Sequence, residues 1–361
     1  MILLLTNLST LRASFDLSLN VTSPSSFTTS QLQVLDDAIL EAEALWENVI
    51  TGYQPGISIG GISISVISGS SFADARVISS VSQGGFQLTT AGRIRINPGV
   101  IDLFGNWDGS GPNPPNTEFV GVNYIDELIA HEIGHVLGIG TQWTINGLYN
   151  NGTGEFTGEY GTAAYRDEFD SEATFVPVEL AGSSGTQNSH WDQRMRSSSQ
   201  EGNPSDPWSL DPRVGITDPQ GRDLALELMT GAIDPDYGEP FVSLTTIASM
   251  RDMGFTVTVP EDFDGDDQVE GNDLAIWHTG FGSTGLQIDS ITYGDSQRDR
   301  DVDGADFLAW QQTAAIAVPE PAACILALSW LLILQRLNRF QPRRHNVYGP
   351  TPPGGLGPTQ K

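Results

Sequence analysis

Residues 131–138 have the sequence His-Glu-Ile-Gly-His-Val-Leu-Gly, and this stretch decides how the rest of the chain is interpreted. His131 and His135 are four positions apart, so on a helix both imidazoles lie on one face and can reach a single ion. Glu132 lies beside them, where its carboxylate can hold a water bound to that ion. The stretch therefore predicts a Zn²⁺ site on a helix, with Glu132 as the general base.

The surrounding residues favour this helix and indicate a mixed fold. Apolar positions recur at helical spacing from about residue 123 to residue 137, and Gly138 ends the pattern. Further helices are predicted at 31–50 and 244–253. Strands are predicted at 15–21, 57–66, 93–97, 174–180 and 255–259. We therefore expect an α+β domain, with a mixed sheet packed on long helices.

A hydrolytic zinc site needs three protein ligands and one open position for water. The other histidines are His190, His278 and His345. His278 lies in an acidic region after residue 259, and His345 lies in a basic C-terminal tail. His190 is therefore the candidate third ligand. A carboxylate ligand is the competing alternative. The carboxylates available for that role are Glu159, Glu168, Glu172 and Glu179.

The motif resembles the zinc helix of metzincin metallopeptidases. Most metzincins place the third histidine three residues after the glycine, where this chain has Thr141. Leishmanolysin-like metzincins delay that histidine by tens of residues, and His190 follows His135 by 55 residues. Residues 227–231, Glu-Leu-Met-Thr-Gly, resemble their methionine turn, which implies that Met229 lies beneath the zinc. Over residues 15–259 the resemblance implies a zinc endopeptidase acting on a peptide or protein substrate.

The composition changes after residue 259, where two acidic segments repeat at an interval of 33 residues. Each segment has the ligand spacing of a twelve-residue calcium loop followed by a short helix. The predicted Ca²⁺ ligands of the first loop are Asp262, Asp264, Asp266, Gln268 through its carbonyl, and Asp273. The predicted ligands of the second loop are Asp295, Gln297, Asp299, Asp301 and Asp306. The usual glycine at position 6 is replaced by Asp267 and Arg300.

The two loops together resemble a dockerin-type module over residues 260–314. The resemblance implies a small all-α unit that binds calcium, and it raises a cohesin-like protein as a candidate partner. The alternative for this segment is an acidic, solvated linker. A linker would not explain why Val269 and Trp277 recur in register as Val302 and Trp310.

The C-terminal region, residues 315–345, is predicted to contain a transmembrane or sorting helix. Its Val-Pro-Glu-Pro sequence at 318–321 precedes an apolar run and an arginine cluster, and this order resembles a PEP-CTERM sorting signal. The resemblance implies an exported, surface-sorted protein of a Gram-negative-type bacterium, contact with the membrane, and processing by an exosortase-type enzyme. Residues 1–14 are expected to be an export-signal remnant or disordered, and residues 346–361 a disordered tail.

The net charge and the cysteine content exclude several classes of partner and site. The net charge of −28 argues against a nucleic-acid partner, which requires a basic face. The single cysteine, Cys324, excludes an internal disulfide and a zinc site with several cysteines. The alternative to the enzyme is a calcium-dependent surface adhesion or scaffold protein that retains a metallopeptidase fold without turnover.

Overall fold

The computed structural model describes residues 15–108, 120–180, 182–193, 216–231, 233, 238–265, 268–286 and 290–317. The chain divides into two compact units, Met1–Thr313 and Ala314–Lys361. The described strands are β1 (Leu17–Val21), β2 (Ile50–Tyr53), β3 (Ile62–Ser68), β4 (Ala73–Gln83), β5 (Phe86–Ile96), β6 (Glu155–Phe156), β7 (Val176–Pro177) and β8 (Phe255–Val257). The described helices are α1 (Thr29–Val49), α2 (Pro98–Phe104), α3 (Ile125–Leu137), α4 (Glu159–Glu168), α5 (Leu244–Asp252), α6 (Gly271–Gly280) and α7 (Gly304–Ala317).

The largest sheet has four strands in the order β1-β3-β5-β4. Strands β1, β3 and β5 are parallel, and β4 pairs antiparallel with β5 at the edge. Two small antiparallel sheets join β2 to β8 and β6 to β7. The predicted α+β fold with a mixed sheet is thus confirmed.

Helix α1 begins with a capping box, in which Thr28 and Gln31 satisfy each other's backbone N–H groups. One face of the helix is buried at the positions that the helical spacing predicted, including Leu35, Ile39 and Trp46. The Trp46 indole donates a hydrogen bond of 2.8 Å to the carbonyl of Ala130 in α3. This bond and the apolar face hold α1 against α3.

All thirteen residues of α3 are buried, so the helix lies in the centre of the domain. It packs so closely on β5 that a Cβ at Gly92 would lie 2.3 Å from a methyl carbon of Val136. The helix ends at Gly138, as the sequence predicted. Its polar residues therefore face a site inside the protein rather than bulk solvent.

Helices α6 and α7 each follow one copy of the acidic repeat, and the two copies share one set of internal hydrogen bonds. Asp273 accepts from the backbone N–H groups at loop positions 2, 3 and 9, and Asp306 does the same in the second copy. Trp277 donates to the carbonyl of Asp303, and Trp310 donates to that of Glu270. Each tryptophan therefore binds the other copy, which accounts for their recurrence in register.

Some predicted segments differ from the structure or lie outside it. The strand expected at 57–66 begins only at Ile62, and the one expected at 174–180 is reduced to Val176–Pro177. None of the described helices is long and apolar enough to cross a membrane. Residues 1–14, the sorting segment from residue 318, the tail 346–361 and Asp266 lie outside the described residues.

Candidate metal centre

Three histidines that are far apart in the sequence meet at one buried point. The Nε2 atoms of His131 and His135 are 3.0 Å apart, and the Nε2 of His190 lies 3.1 Å from the first and 3.0 Å from the second. All three side chains are buried. The structure thus brings His190 to the pair on α3, and the three imidazoles form a group that could hold a metal ion.

The outer nitrogens of the three rings fix their protonation. The Nδ1 of His131 bonds the carbonyl of Leu228 at 2.6 Å, that of His135 bonds Ile139 at 2.9 Å, and that of His190 bonds Thr186 at 2.9 Å. A carbonyl only accepts, so each Nδ1 carries the proton. Each neutral ring then has a bare lone pair on Nε2.

Three bare nitrogen lone pairs that face one another could hold a cation between them. Four ligands arranged tetrahedrally at the usual zinc–nitrogen distance would be separated by about 3.3 Å, close to the separations found here. Burial and the neighbouring His135 lower the pKa of His131 to about 3, and burial lowers the pKa values of His135 and His190. The rings therefore stay neutral, which is the form that binds a metal.

Glu132 follows the first ligand on α3 and is 5% exposed. Its Oε2 atom is buried and has no hydrogen-bond partner among the described residues. Burial, with a smaller effect from the charge of Asp74, raises the pKa of Glu132 to about 8. A buried carboxyl group with an unused oxygen is suited to accept and return a proton.

Met229 lies directly against α3, the helix that carries His131 and His135. A Cβ at Gly134 would be 2.6 Å from the Met229 sulfur and 3.1 Å from the ring of Trp46, so only glycine fits between the two histidines of the motif. The carbonyl of Leu228 accepts from His131, and the carbonyl of Met229 accepts from the backbone N–H of Trp191, the residue after His190. The turn 227–231 therefore supports two of the three ligands.

The segment 141–190 begins just after α3, and its last residue, His190, lies beside the histidines of that helix. Trp143 near its start and Trp191 just beyond its end stack with ring centroids 4.6 Å apart. Gly140 adopts φ +72°, and a Cβ there would lie 2.3 Å from the carbonyl oxygen of Ser189. The chain can therefore bring His190 close only because residue 140 lacks a side chain.

The carboxylates considered as alternative third ligands have other positions. Glu168 is buried and binds the N-terminus of α5, where it accepts from Leu244 and Thr245. Glu159 and Glu172 are exposed. Glu179 is buried and does not join the histidine group. Of the candidates, only His190 completes the triangle.

The first acidic loop also brings ligand atoms together. Carboxylate oxygens of Asp262, Asp264 and Asp273 lie within 4.8 Å of one another and could hold a metal ion. Asp262 and Asp273 are buried, whereas Asp264 is exposed. Gln268 is described but supplies no carboxylate, and the position of Asp266 is not described. Three of the five predicted ligands of this loop therefore meet.

The second acidic loop is less convergent. Within the described residues, no three of its carboxylates come as close as those of the first loop. Burial and neighbouring carboxylates raise the pKa values of Asp299 and Asp306 to about 6, and they also raise the pKa of Asp301. Asp295 instead accepts from Ser290 and from backbone N–H groups within the loop.

Glu227 is the residue of this region that the sequence analysis missed. Its side chain is buried and accepts from the backbone of Met229 and from residues at the start of α5. The one local signal is its place two residues before Met229.

A scan against protein-family models, a search of curated proteins and a search of solved structures each found no match to this chain.

Proposed function

We propose that this protein is a zinc-dependent endopeptidase of the metzincin type, similar to the leishmanolysin-like enzymes. The observation that carries the proposal is the triangle of Nε2 atoms from His131, His135 and His190, with every Nδ1 committed to a carbonyl. Such a set leaves one side of the ion open, as hydrolytic zinc sites require. Structural zinc sites are closed by a fourth protein ligand, and among the described residues no fourth His, Cys, Asp or Glu joins the histidine group.

Bound zinc would lower the pKa of a water and polarise the carbonyl of the scissile peptide bond. In the proposed reaction Glu132 takes the proton from the attacking water and later delivers it to the leaving amine. Its raised pKa suits both steps, since the group can hold the proton near neutral pH. The backbone carbonyls on the outer nitrogens keep the three ligand rings oriented.

The metzincin assignment is supported by the order of features along the chain. The histidine helix ends in glycine, the third histidine arrives after an excursion, and the turn with Met229 lies against the helix at Gly134. A mixed sheet with one antiparallel edge strand lies beside that helix. The helix, the delayed histidine and the methionine turn are the features that carry the resemblance, and they lie together in the structure.

We further propose that the acidic repeat is a dockerin-like calcium module. The convergence of Asp262, Asp264 and Asp273 supports a calcium site in the first loop. The second loop, with Gln297 at position 3 and carboxylates farther apart, is proposed as the weaker site. The reciprocal bonds of Trp277 and Trp310 support the reading of the two copies as one folded unit.

The cellular context is proposed on the sequence alone. The Pro-Glu-Pro segment, the apolar run and the arginine cluster support export, sorting at the surface of a Gram-negative-type bacterium, and processing by an exosortase-type enzyme. The same segments support attachment to the membrane. A cohesin-like protein is the partner that the dockerin-like module suggests.

Casein hydrolysis with and without a zinc chelator, at fixed calcium, tests the proposed activity. We expect activity to be lost with the chelator and restored by zinc. A metal analysis of the full chain should give one zinc per molecule, and the His190→Gln variant should lose it. Absence of hydrolysis, together with calcium-dependent binding to a partner module, would instead support the adhesion or scaffold function.

A further inference from the structure

We propose that Glu227 is a positioning residue of the metal centre. Its carboxylate fixes the turn 227–231, and that turn orients two of the three histidines. The inference rests on the proposed function in one respect, that the histidine triangle binds a metal. Glu227 is not one of the three ligands, so its role is exerted through the backbone of its own turn.

The Glu227 carboxylate is 1% exposed, and donors occupy both of its oxygens. Oε2 accepts the backbone N–H of Met229 at 2.6 Å. Oε1 accepts the backbone N–H and the hydroxyl of Ser243 and also the hydroxyl of Thr246. The side chain therefore joins the turn to the first residues of α5.

The first connection to the metal centre runs through the turn itself. The bond to the N–H of Met229 closes the turn, and the carbonyl of Leu228 then accepts the Nδ1 proton of His131 at 2.6 Å. The carbonyl of Met229 accepts the backbone N–H of Trp191 at 3.0 Å, directly after His190. A shift of the turn would move both ligands.

The second connection runs through α5. The Thr246 hydroxyl donates to Glu227 and accepts the indole N–H of Trp191 at 2.8 Å. Trp191 is therefore held at its backbone by the turn and at its side chain by Thr246. Both contacts fix the residue that follows His190.

A carboxylate suits this position better than its amide. It offers two acceptor oxygens and no donor, and donors approach both oxygens of Glu227. In Glu227→Gln one oxygen becomes an NH₂ group, which must face either the N–H of Met229 or the donors of α5. The buried donor left without an acceptor would displace the turn.

The test compares Glu227→Gln with Glu168→Gln in the full chain. Glu168, the last residue of α4, is a second buried glutamate that binds the start of α5, where it accepts from Leu244 and Thr245. Both variants disturb the same helix end, but only Glu227 contacts the turn 227–231. Zinc affinity is measured by competition with a chelator, and the visible spectrum of the Co²⁺-loaded protein reports the ligand geometry.

We expect Glu227→Gln to weaken zinc binding by roughly tenfold to a hundredfold and to alter the Co²⁺ spectrum, as loss of a group that orients metal ligands usually does. Glu168→Gln should lower the unfolding temperature and leave both metal readouts unchanged. Equal effects of the two variants on metal binding, or no effect of Glu227→Gln, would overturn the inference. A wild-type chain that binds no zinc would overturn the proposed function itself.

Two milder variants decide the question if Glu227→Gln does not fold. Thr246→Val removes the hydroxyl between Glu227 and Trp191, and Thr245→Val removes the corresponding hydroxyl on Glu168. We expect Thr246→Val to weaken zinc binding and Thr246→Ser to restore it, while Thr245→Val leaves it unchanged. Unchanged metal affinity in Thr246→Val would contradict the second connection and, with Glu227→Gln unfolded, the inference.

Discussion

The guanidinium of Arg300 donates a hydrogen bond of 2.7 Å to the carboxylate of Glu127, one helical turn before His131. Arg300 belongs to the second acidic loop, where its backbone N–H bonds Asp295 at 2.8 Å. Glu127 is fully buried, and burial together with Glu127 raises the pKa of neighbouring Asp126 to about 10. Asp126 therefore holds a proton, and Arg300 faces the charge of Glu127. The acidic loop is thus fixed to α3, the helix that carries His131 and His135.

Replacing this arginine should destabilise the protein strongly. Arg300→Met leaves Glu127 buried without its counter-charge, for which we expect a loss of about 3–5 kcal/mol in the free energy of unfolding. Denaturant unfolding measures the loss, and the double variant with Glu127→Gln should recover most of it. The exposed pair of Arg95 and Asp74 is the control, since Arg95→Met should cost less than about 1 kcal/mol. Equal losses in the two single variants would contradict the assigned role.

Glu132→Gln should separate catalysis from metal binding. The ligands are unchanged and the buried amide is neutral, so we expect normal zinc content and normal stability. Without the proton acceptor, casein hydrolysis should fall by roughly a hundredfold to ten-thousandfold. The exposed Glu172→Gln is the control and should keep full activity. Undiminished hydrolysis by Glu132→Gln would remove the general-base assignment.

Metal binding should persist in mild acid. Burial lowers the pKa values of all three ligands, so protons compete poorly, and we expect zinc to stay bound at about pH 5.5, below the ordinary histidine pKa. In the metal-free protein the unfolded chain binds more protons than the folded one, so the free energy of unfolding should fall as the pH drops below about 6.5. Equilibrium dialysis and unfolding at several pH values measure the two effects. Zinc release above pH 6.5 would contradict this interpretation, and the exposed His278→Gln should change neither curve.

Gly140→Ala and Gly147→Ala should have different effects on the metal centre. Both glycines have φ near +72°, so alanine costs about 1–2 kcal/mol of backbone strain at either position. A Cβ at Gly140 would also meet Ser189, whereas the space around Gly147 is open. We therefore expect both variants to melt earlier and only Gly140→Ala to lose zinc affinity, as measured by chelator competition. Equal zinc affinities would show that the close approach does not hold His190.

A reciprocal exchange at loop position 3 should change the calcium affinities in opposite directions. Asp264 provides a carboxylate in the first loop, and Gln297 provides an amide in the second. We expect Gln297→Asp to strengthen the weaker Ca²⁺ step and Asp264→Gln to weaken the stronger one, because loop affinity depends on the number of charged ligands. Calorimetric titration resolves the two steps. Unchanged affinities in both variants would contradict the assignment of these loops.

The elements with strong helical periodicity could be predicted from the sequence. The predicted helices at 31–50, 123–137 and 244–253 appear as α1, α3 and α5 within a few residues. Strand β4 was missed because an exposed edge strand carries polar residues such as Ser79, Ser80 and Ser82 without clear alternation. Helix α4 was missed because it buries few side chains in a segment that looks like a loop.

The grouping of His131, His135 and His190 could be predicted because it depends on residue type and count. The hydrogen bond from Arg300 of the second acidic loop to Glu127 could not be predicted, because nothing in the sequence near Arg300 indicates a partner 173 positions away. Glu227 was missed for a similar reason. Its donors come from the turn and from α5, and only the folded chain brings them together.

The 55-residue interval between His135 and His190 affects the order in which the parts of the site form during folding. Two imidazoles are neighbours as soon as one helix forms, but the third arrives only after a closure that costs about 4 kcal/mol of chain entropy. An ion bound by all three would repay this cost and would hold residues 141–190 in place. Without the ion, this segment would open more readily and be more exposed to proteolysis.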